Sequence, residues 1–433
     1  MVRRLTAPLL LSLLLGAATA VAADESSQLL LKTFPPQAEL YEGGERLEPV
    51  EQVERPDGAL WRRYELRAGY QVLALRADGY APKWLHIRGN GELVVDEKLE
   101  RAQVPLLRQG EIATGNQPKG VAFAPDGRTL VVTGLRDTGI DLYRSDPLEH
   151  LRHIPLPPEG GEATGFVEAL FLKEKRELWV TQMLTAEVHI LSSVDYRYIG
   201  AVPTGGKWPK VMVSDPAERY LYVSNWSEKN IGVVDIENRR LIETIPVSGV
   251  PRGMAITPDG RTLFVALFEG GDLVRIDLTS LGYPRRRIEI GDGALRHIVM
   301  SKDGRRLYIS DMYYGSVLVF DVDSEKVLRR RRLGYNLNTL ELTPSEEYLL
   351  VSERGRNNRE DYRLPGPEFG RLFLCDPESL EPVSWIWGRN QPTGLDISPD
   401  GELIAFTDFM DNNLELYELI PSSRRAARKE SLR

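Results

Sequence analysis

Of 433 residues only Cys375 is a cysteine, so the chain makes no internal disulfide and tolerates an oxidising compartment without exploiting it. Histidine is scarce, five in all, which leaves little material for general-base chemistry. There is no phosphate-binding glycine loop, no Gly-x-Ser-x-Gly and no CxxCH haem attachment motif, so nothing compels an enzyme. Positive charge is not in excess either: 55 Lys and Arg stand against 63 Asp and Glu, and the net charge of −8 argues against a nucleic-acid binder. Beyond the first 22 residues no apolar run approaches the ~20 residues of a spanning helix, so no transmembrane segment is expected in the mature protein.

What the N-terminus does have is Arg3 and Arg4, a Leu-rich run through Leu15, and small residues ending in Ala20-Val21-Ala22. Charge, short apolar core and small-x-small site are the layout of a secretory signal peptide, expected over 1–23, with cleavage near Ala23 or Asp24. An uncleaved anchor is the alternative, but the apolar run is short for it. The protein is therefore expected in the periplasm or at the cell surface. The end of the chain, 420–433, carries Arg424, Arg425, Arg428, Lys429 and Arg433 with no apolar pattern, and reads as a disordered, solubilising tail.

Between these ends the chain repeats itself. A strand core of polar residue, Leu, apolar residue and small β-branched residue recurs at Leu130, Leu178, Leu221, Leu263, Leu307, Leu349 and Leu403, at spacings of 48, 43, 42, 44, 42 and 54 residues. That period fits the roughly 40 to 50 residues of a propeller blade, and seven copies predict seven blades. Pro-Asp-Gly at 125–127, 258–260 and 399–401 supplies a fixed φ, a side chain that bonds its own backbone and a residue free to take positive φ, so each closes a hairpin between a blade's first two strands. Third strands follow at 139–143, 188–191, 231–235, 273–277, 317–321, 372–376 and 414–418, and Cys375 in one of them reads as a small buried apolar residue. Asp321-x-Asp323-x-Glu325 lacks the glycine and spacing of a calcium loop and reads as a strand-connecting turn. The array is out of phase: 106–114 looks like an outer strand with no blade before it, while the last blade stops at its third strand. Donating one to the other closes the ring.

Residues 28–103 have a different rhythm, with short alternating runs between turns at Asp57-Gly58, Asp78-Gly79 and Gly89-Asn90-Gly91 that predict a small antiparallel β-domain. Its Pro35-x-x-Ala38-Glu39-Leu40-Tyr41-x-Gly43-Gly44, Leu66-x-Ala68-Gly69-Tyr70 and Asp78-Gly79-Tyr80 resemble the PEGA family of small β-sandwich modules, although Gln37 stands where that family usually has Gly and its Thr-Pro element is missing. The resemblance implies an interaction or envelope module without catalysis. Over about 310 residues, 110–419, segments such as 249–266, 117–132 and 391–405 resemble the YVTN family of seven-bladed propellers. The expected architecture is all-β: a PEGA-like β-sandwich at 28–103, then a YVTN-like propeller at 106–419. Related propellers include lactone hydrolases, surface-layer proteins and binding modules, so the resemblance fixes fold more than function.

Loops between blades and between second and third strands should emerge on one face, where binding usually sits. At the start of the innermost strands the copies offer Lys119, Glu168, Lys210, Arg252, Arg296, Asn338 and Thr393, four bases against one acid. The neighbouring loops add Arg136, Gln182, Trp226, Phe268, Asp311, Met312, Tyr313, Glu353, Arg354, Asp408 and Phe409. Aromatics beside convergent charges suit a ligand with an anionic group and an apolar or sugar-like face. The expected binding set is Lys119, Glu168, Lys210, Trp226, Arg252, Phe268, Arg296, His297, Asp311, Tyr313, Arg354 and Asp408. The opposing reading is that these bases pair with Asp311, Glu353 and Asp408 around a solvated channel. Of the histidines, His86 falls in the small domain, His150 and His153 in a loop between blades one and two, His189 in an outer strand, and only His297 reaches the mouth. With Glu168 it would make the base and orienter of a lactone or sugar-ester hydrolase, the competing function. The leading expectation is a monomeric envelope-associated binding or scaffolding protein, without metal or cofactor, that takes an envelope protein, an anionic small molecule or a sugar.

Overall fold

The computed structural model describes residues 27–420 apart from 35, 43–44, 56–58, 68, 78–79, 81–82, 90, 100–104 and 158–163. The signal-peptide region and the basic tail lie outside the described residues, as do the PEGA-motif positions Pro35, Gly43, Gly44, Ala68, Asp78 and Gly79. Every described element is a strand, and among the described residues no helix is long and apolar enough to cross a membrane. The chain divides into two compact units, Met1–Glu100 and Arg101–Arg433.

In the first unit, alternation of apolar and polar residues gives each strand one buried face. One four-stranded sheet runs Glu51–Glu54, Leu60–Leu66, Ser27–Phe34, Glu92–Lys98, and the other Glu45–Leu47, Glu39–Glu42, Gly69–Arg76, Lys83–Gly89. Their apolar faces share one core in which Leu29, Leu40, Leu73 and Leu75 are wholly buried. The sandwich departs from the antiparallel expectation at one place: Ser27–Phe34 and Glu92–Lys98 pair in parallel. Parallel neighbours need a long connection, and here the intervening strands of both sheets supply it.

The second unit forms seven four-stranded sheets among the described residues. Blade one is Pro118–Phe123, Thr129–Gly134, Gly139–Ser145 and Leu148–Pro155, antiparallel throughout. The innermost strands of later blades are Phe166–Leu172, Pro209–Ser214, Pro251–Ile256, Leu295–Met300, Leu337–Leu342 and Pro392–Ile397. Each lies beside the next, and the seventh beside the first, which makes a closed seven-bladed β-propeller. The core is distributed between blades: Phe264 of blade four meets Phe320 of blade five edge-on at 6.3 Å, both wholly buried. Gly127, Gly260 and Gly401 of the Pro-Asp-Gly turns take φ of 68°, 72° and 76°, the conformation the turn demands. Blade seven is completed by Leu106–Ala113, which pairs with Asn413–Leu419.

The fourth strands carry few sequence cues, and two histidines lie there and not in a loop. His150 and His153 sit on Leu148–Pro155, where both ring systems bond Asp141 Oδ1, at 2.8 and 3.3 Å. His189 is on the third of four strands of its blade and donates through Nε2 to the Gln182 side-chain oxygen at 2.7 Å. Cys375 is buried, and burial pushes its thiol up to about 12, which makes it unreactive. Asp321 accepts the Ser324 amide at 2.8 Å and Glu325 holds Arg275 at 2.7 Å, so that segment is a braced turn.

Candidate functional site: an uncompensated cationic mouth

Each innermost strand begins with a bulge opposite the end of the second strand. There a hydroxyl substitutes for the missing ladder bond. Thr181, Ser224, Ser310, Ser352 and Thr407 accept the amides of Glu168, Val211, His297, Thr339 and Gly394, at 3.0–3.1 Å. The same hydroxyls reach the next blade: Ser224 donates to the Arg252 carbonyl at 3.0 Å and Ser310 to that of Asn338 at 2.7 Å. This stitch fixes the backbone at the channel entrance from two blades at once. In blade four, where Ala266 stands at the hydroxyl position, Gly253 lets the strand lie close against blade five, since a Cβ there would lie 2.7 Å from the His297 Cα.

The stitch also sets the register of the site. Lys119, Val167, Lys210, Arg252, Arg296, Asn338 and Thr393 share one ring, because each follows the residue paired to the end of the second strand. Glu168 is displaced from that ring. It sits one residue further in, on the ring of His297, since the alignment of blade two slips by one where no Pro marks the strand start. Three residues along from the entrance, in blades six and seven, come two acids the sequence reading passed over, Glu341 and Asp396. The rings enclose a cavity of about 400 Å³ lined by Lys119, Glu168, Arg252, Arg296, His297, Glu341 and Asp396 among others.

Among the described residues no mouth cation is in ion-pair contact with a carboxylate; Arg252 is attracted by Glu168 without touching it. Arg252 is 8 % exposed and its Nη1 has no hydrogen-bond partner. Arg296, 7 % exposed, bonds through Nε to the Asn338 amide oxygen, and Arg354, 3 % exposed, bonds the Gln391 side-chain oxygen. Lys119 lies 4.8 Å from the Phe409 ring centre and Lys210 5.9 Å from that of Trp226, whose ring meets Phe268 at 4.8 Å, tilted by 48°. The acids offered by the opposing reading are engaged elsewhere. Asp311 accepts the Ala294, Tyr313 and Tyr314 amides and sits 3.6 Å from Arg330. Glu353 is held by Arg371, and Asp408 accepts the Arg389 amide at 2.9 Å. Asp311 and Asp408 are wholly buried and belong to the framework of the loops, which corrects their place in the expected binding set. Tyr313 is 72 % exposed beside the mouth.

Crowded, buried like charges leave their mark on protonation. Burial, then Arg252 and Arg296, bring the Lys210 ammonium down to about 7. Burial and four neighbouring cations hold Lys119 well below its ordinary value. Burial and the same two arginines take His297 down to about 3, so its imidazole is neutral; its Nδ1 has no partner, and no hydrogen bond joins it to Glu168. Burial raises Glu168 and Asp396 to about 7 each, and burial with Asp396 and Glu168 nearby holds Glu341 well above the ordinary carboxylate value. These acids are partly accessible through the channel yet surrounded by protein. A Glu168 that binds its proton more tightly folded than unfolded contributes stability below about pH 4.5 that is lost as pH rises toward 7. Glu168→Gln should therefore match the parent near pH 4 and exceed it progressively to pH 8, by up to about 3 kcal/mol. Equal pH profiles in thermal melts would refute this.

The fold and this mouth define a β-propeller protein with a buried, basic channel entrance. The chain belongs to the family of Antigen Lp49 of Leptospira interrogans, with which it is 33% identical over 359 residues, 80% of this chain and 77% of that protein. It is also similar to the dihydro-heme d1 dehydrogenase of Pseudomonas aeruginosa, 24% identical over 302 residues that cover 66% of this chain and 57% of the other. Among solved structures, a chain of Kuenenia stuttgartiensis hydrazine synthase superposes with a TM-score of 0.60 at 18% identity, over 71% of this chain and 97% of that one; it shares the fold. No protein-family model matches the chain.

Proposed function

We propose that this is an exported, envelope-associated binding protein whose propeller mouth takes a small anionic ligand. The observation that carries the reading is the convergence of Lys119, Lys210, Arg252, Arg296 and Arg354 without one carboxylate in ion-pair contact. Buried charges are otherwise paired in proteins, because an isolated one costs several kcal/mol. An anion entering the mouth supplies the missing counter-charge, and Trp226, Phe268, Tyr313 and Phe409 offer apolar faces for the rest of it. Export is supported by the signal-peptide layout of 1–23 and by kinship with a protein named an antigen. On this reading 28–103 is a PEGA-like module and 106–419 a YVTN-like propeller.

The test is a thermal-shift screen of the mature chain against inorganic phosphate, pyrophosphate, anionic sugars, lactones, peptidoglycan fragments, divalent cations and a haem, the last because one relative carries dihydro-heme d1 in its name. A ligand at a hundred times its Kd stabilises by about 2.7 kcal/mol. Anions should raise the melting temperature, less so as salt rises. If no anion does so, or if the shift ignores both salt and the arginines, the reading fails.

A further inference from the structure

The cavity behind the mouth is polar at both ends and opposite in sign. Asn338 and Thr393 belong to the entrance ring, and three residues further along their strands stand Glu341 and Asp396. At about 3.3 Å per residue the two tiers are about 10 Å apart. Glu168 lies between them, and all three acids border the same cavity as Arg252 and Arg296. Asp396 accepts the Phe123 amide at 2.6 Å through Oδ2 and the Ile397 amide at 2.8 Å through Oδ1, each oxygen keeping a further lone pair, and among the described residues no ion pair joins Glu168, Glu341 or Asp396 to a Lys or Arg. No group of three His, Cys, Asp or Glu among the described residues comes together closely enough to hold a metal ion. Independently of the acids, Arg252 is more than nine-tenths buried, lines this cavity, and leaves Nη1 without a partner.

We infer that the ligand is bipolar: an anionic group seated among the arginines at the mouth and an ammonium or similar cationic donor reaching the Glu341–Asp396 tier. This rests on the anion-binding reading above and names its substrate class. A simple anion satisfies the mouth but leaves the inner carboxyls facing an uncharged end. A molecule whose charges are separated by the distance between tiers compensates both at once. Burial strengthens the hold of both inner acids on a proton, Asp396 to about 7, and an arriving ammonium favours their ionised form.

The experiment uses the mature chain and two matched series of probes, alkylphosphonates and ω-aminoalkylphosphonates of increasing chain length, measured by calorimetry. The amine should tighten binding at least tenfold at chain lengths that span about 10 Å and give little gain in shorter ones. Glu341→Gln and Asp396→Asn, tested singly, should erase that gain while alkylphosphonate affinity persists, which also reports that each variant is folded. A gain that is absent, or equal at all lengths, overturns the inference while leaving the anionic mouth standing. Failure of every phosphonate to bind, with no response to loss of Arg252, overturns the mouth reading and the inference together.

Discussion

Replacing Arg252 and Arg296 together by methionine should abolish anion binding at the mouth while raising the melting temperature of the ligand-free protein. Both guanidinium groups are buried, Arg252 weakens the hold of Arg296 on its proton, both weaken those of Lys119, Lys210 and His297, and neither is in ion-pair contact with a carboxylate, Glu168 being the one acid that acts on Arg252 electrostatically. Substituting methionine keeps much of the side-chain volume and removes two desolvated like charges, which should stabilise the empty fold by about 1–3 kcal/mol. Against that stands the hydrogen bond from Arg296 to Asn338, whose loss leaves one acceptor unsatisfied and trims the gain. The ligand loses two charge-assisted contacts, each about 1.5–3 kcal/mol, so affinity should fall on the order of a hundredfold or more. A double variant that melts lower and still binds pyrophosphate or any anion from the screen would mean that the arginines fill a structural role and that the site lies elsewhere. Opposite signs for stability and binding are the mark of a site held ready for a charge that the protein itself does not provide.

The blade count was legible because it depends on a local, repeated cue: the Leu core of the second strand and, in three blades, the Pro-Asp-Gly turn before it. The closing strand was legible from phase alone, since 106–114 had no other blade to join. Outer strands were not, because their exposed faces tolerate Arg, Glu and His alike; Leu148–Pro155 reads LEHLRHIP and passes for a loop. At the mouth, the sequence located Lys119, Lys210, Arg252 and Arg296 through the Pro that precedes three of them. It misplaced Glu168, whose strand starts with Phe166. The hydroxyls that set the register were visible in principle, as Thr133, Thr181, Ser224, Ser310 and Ser352 stand three residues after the Leu of their second strands; Thr407 stands four after Leu403, because Ile404 takes that buried place in blade seven. Whether a buried arginine finds a carboxylate is a matter of three-dimensional distance, and Asp311, Glu353 and Asp408 turned out to be engaged by their own blades. Glu341 and Asp396 gave no cue because acids in an alternating strand usually face water, and only the closed ring turns that face into a channel.

Deleting 106–113 should destabilise the whole propeller far more than any single substitution, because this strand supplies the missing quarter of blade seven and, by its hydrogen-bonded pairing, ties the end of the chain back to blade one. It pairs with Asn413–Leu419 from Ala113 through Leu106 and covers the core around Leu106, Phe406, Tyr417 and Leu419. It also completes a buried charge network. Glu111 stands directly across from Glu415; Arg389 bonds both Glu111 oxygens at 2.7 Å, and Arg108 lies 2.7 Å from Glu111 and 3.7 Å from Glu415. The two arginines offset the repulsion of the opposed glutamates, so removing the strand takes Arg108 from Glu415 and Glu111 from Arg389, leaving Glu415 the Tyr417 hydroxyl, while exposing an open sheet edge. Glu111→Leu isolates the electrostatic part: Arg389 keeps its burial and loses its bidentate acceptor, an expected cost of about 3–5 kcal/mol. Removing 24–103 should do much less, since the first unit has its own core. Urea or thermal melts decide it, with a synthetic 105–114 peptide added in trans to the deleted protein as a rescue by strand addition. An unchanged midpoint after deletion of 106–113, or collapse of the propeller after loss of 24–103, would place the boundary between the two units elsewhere.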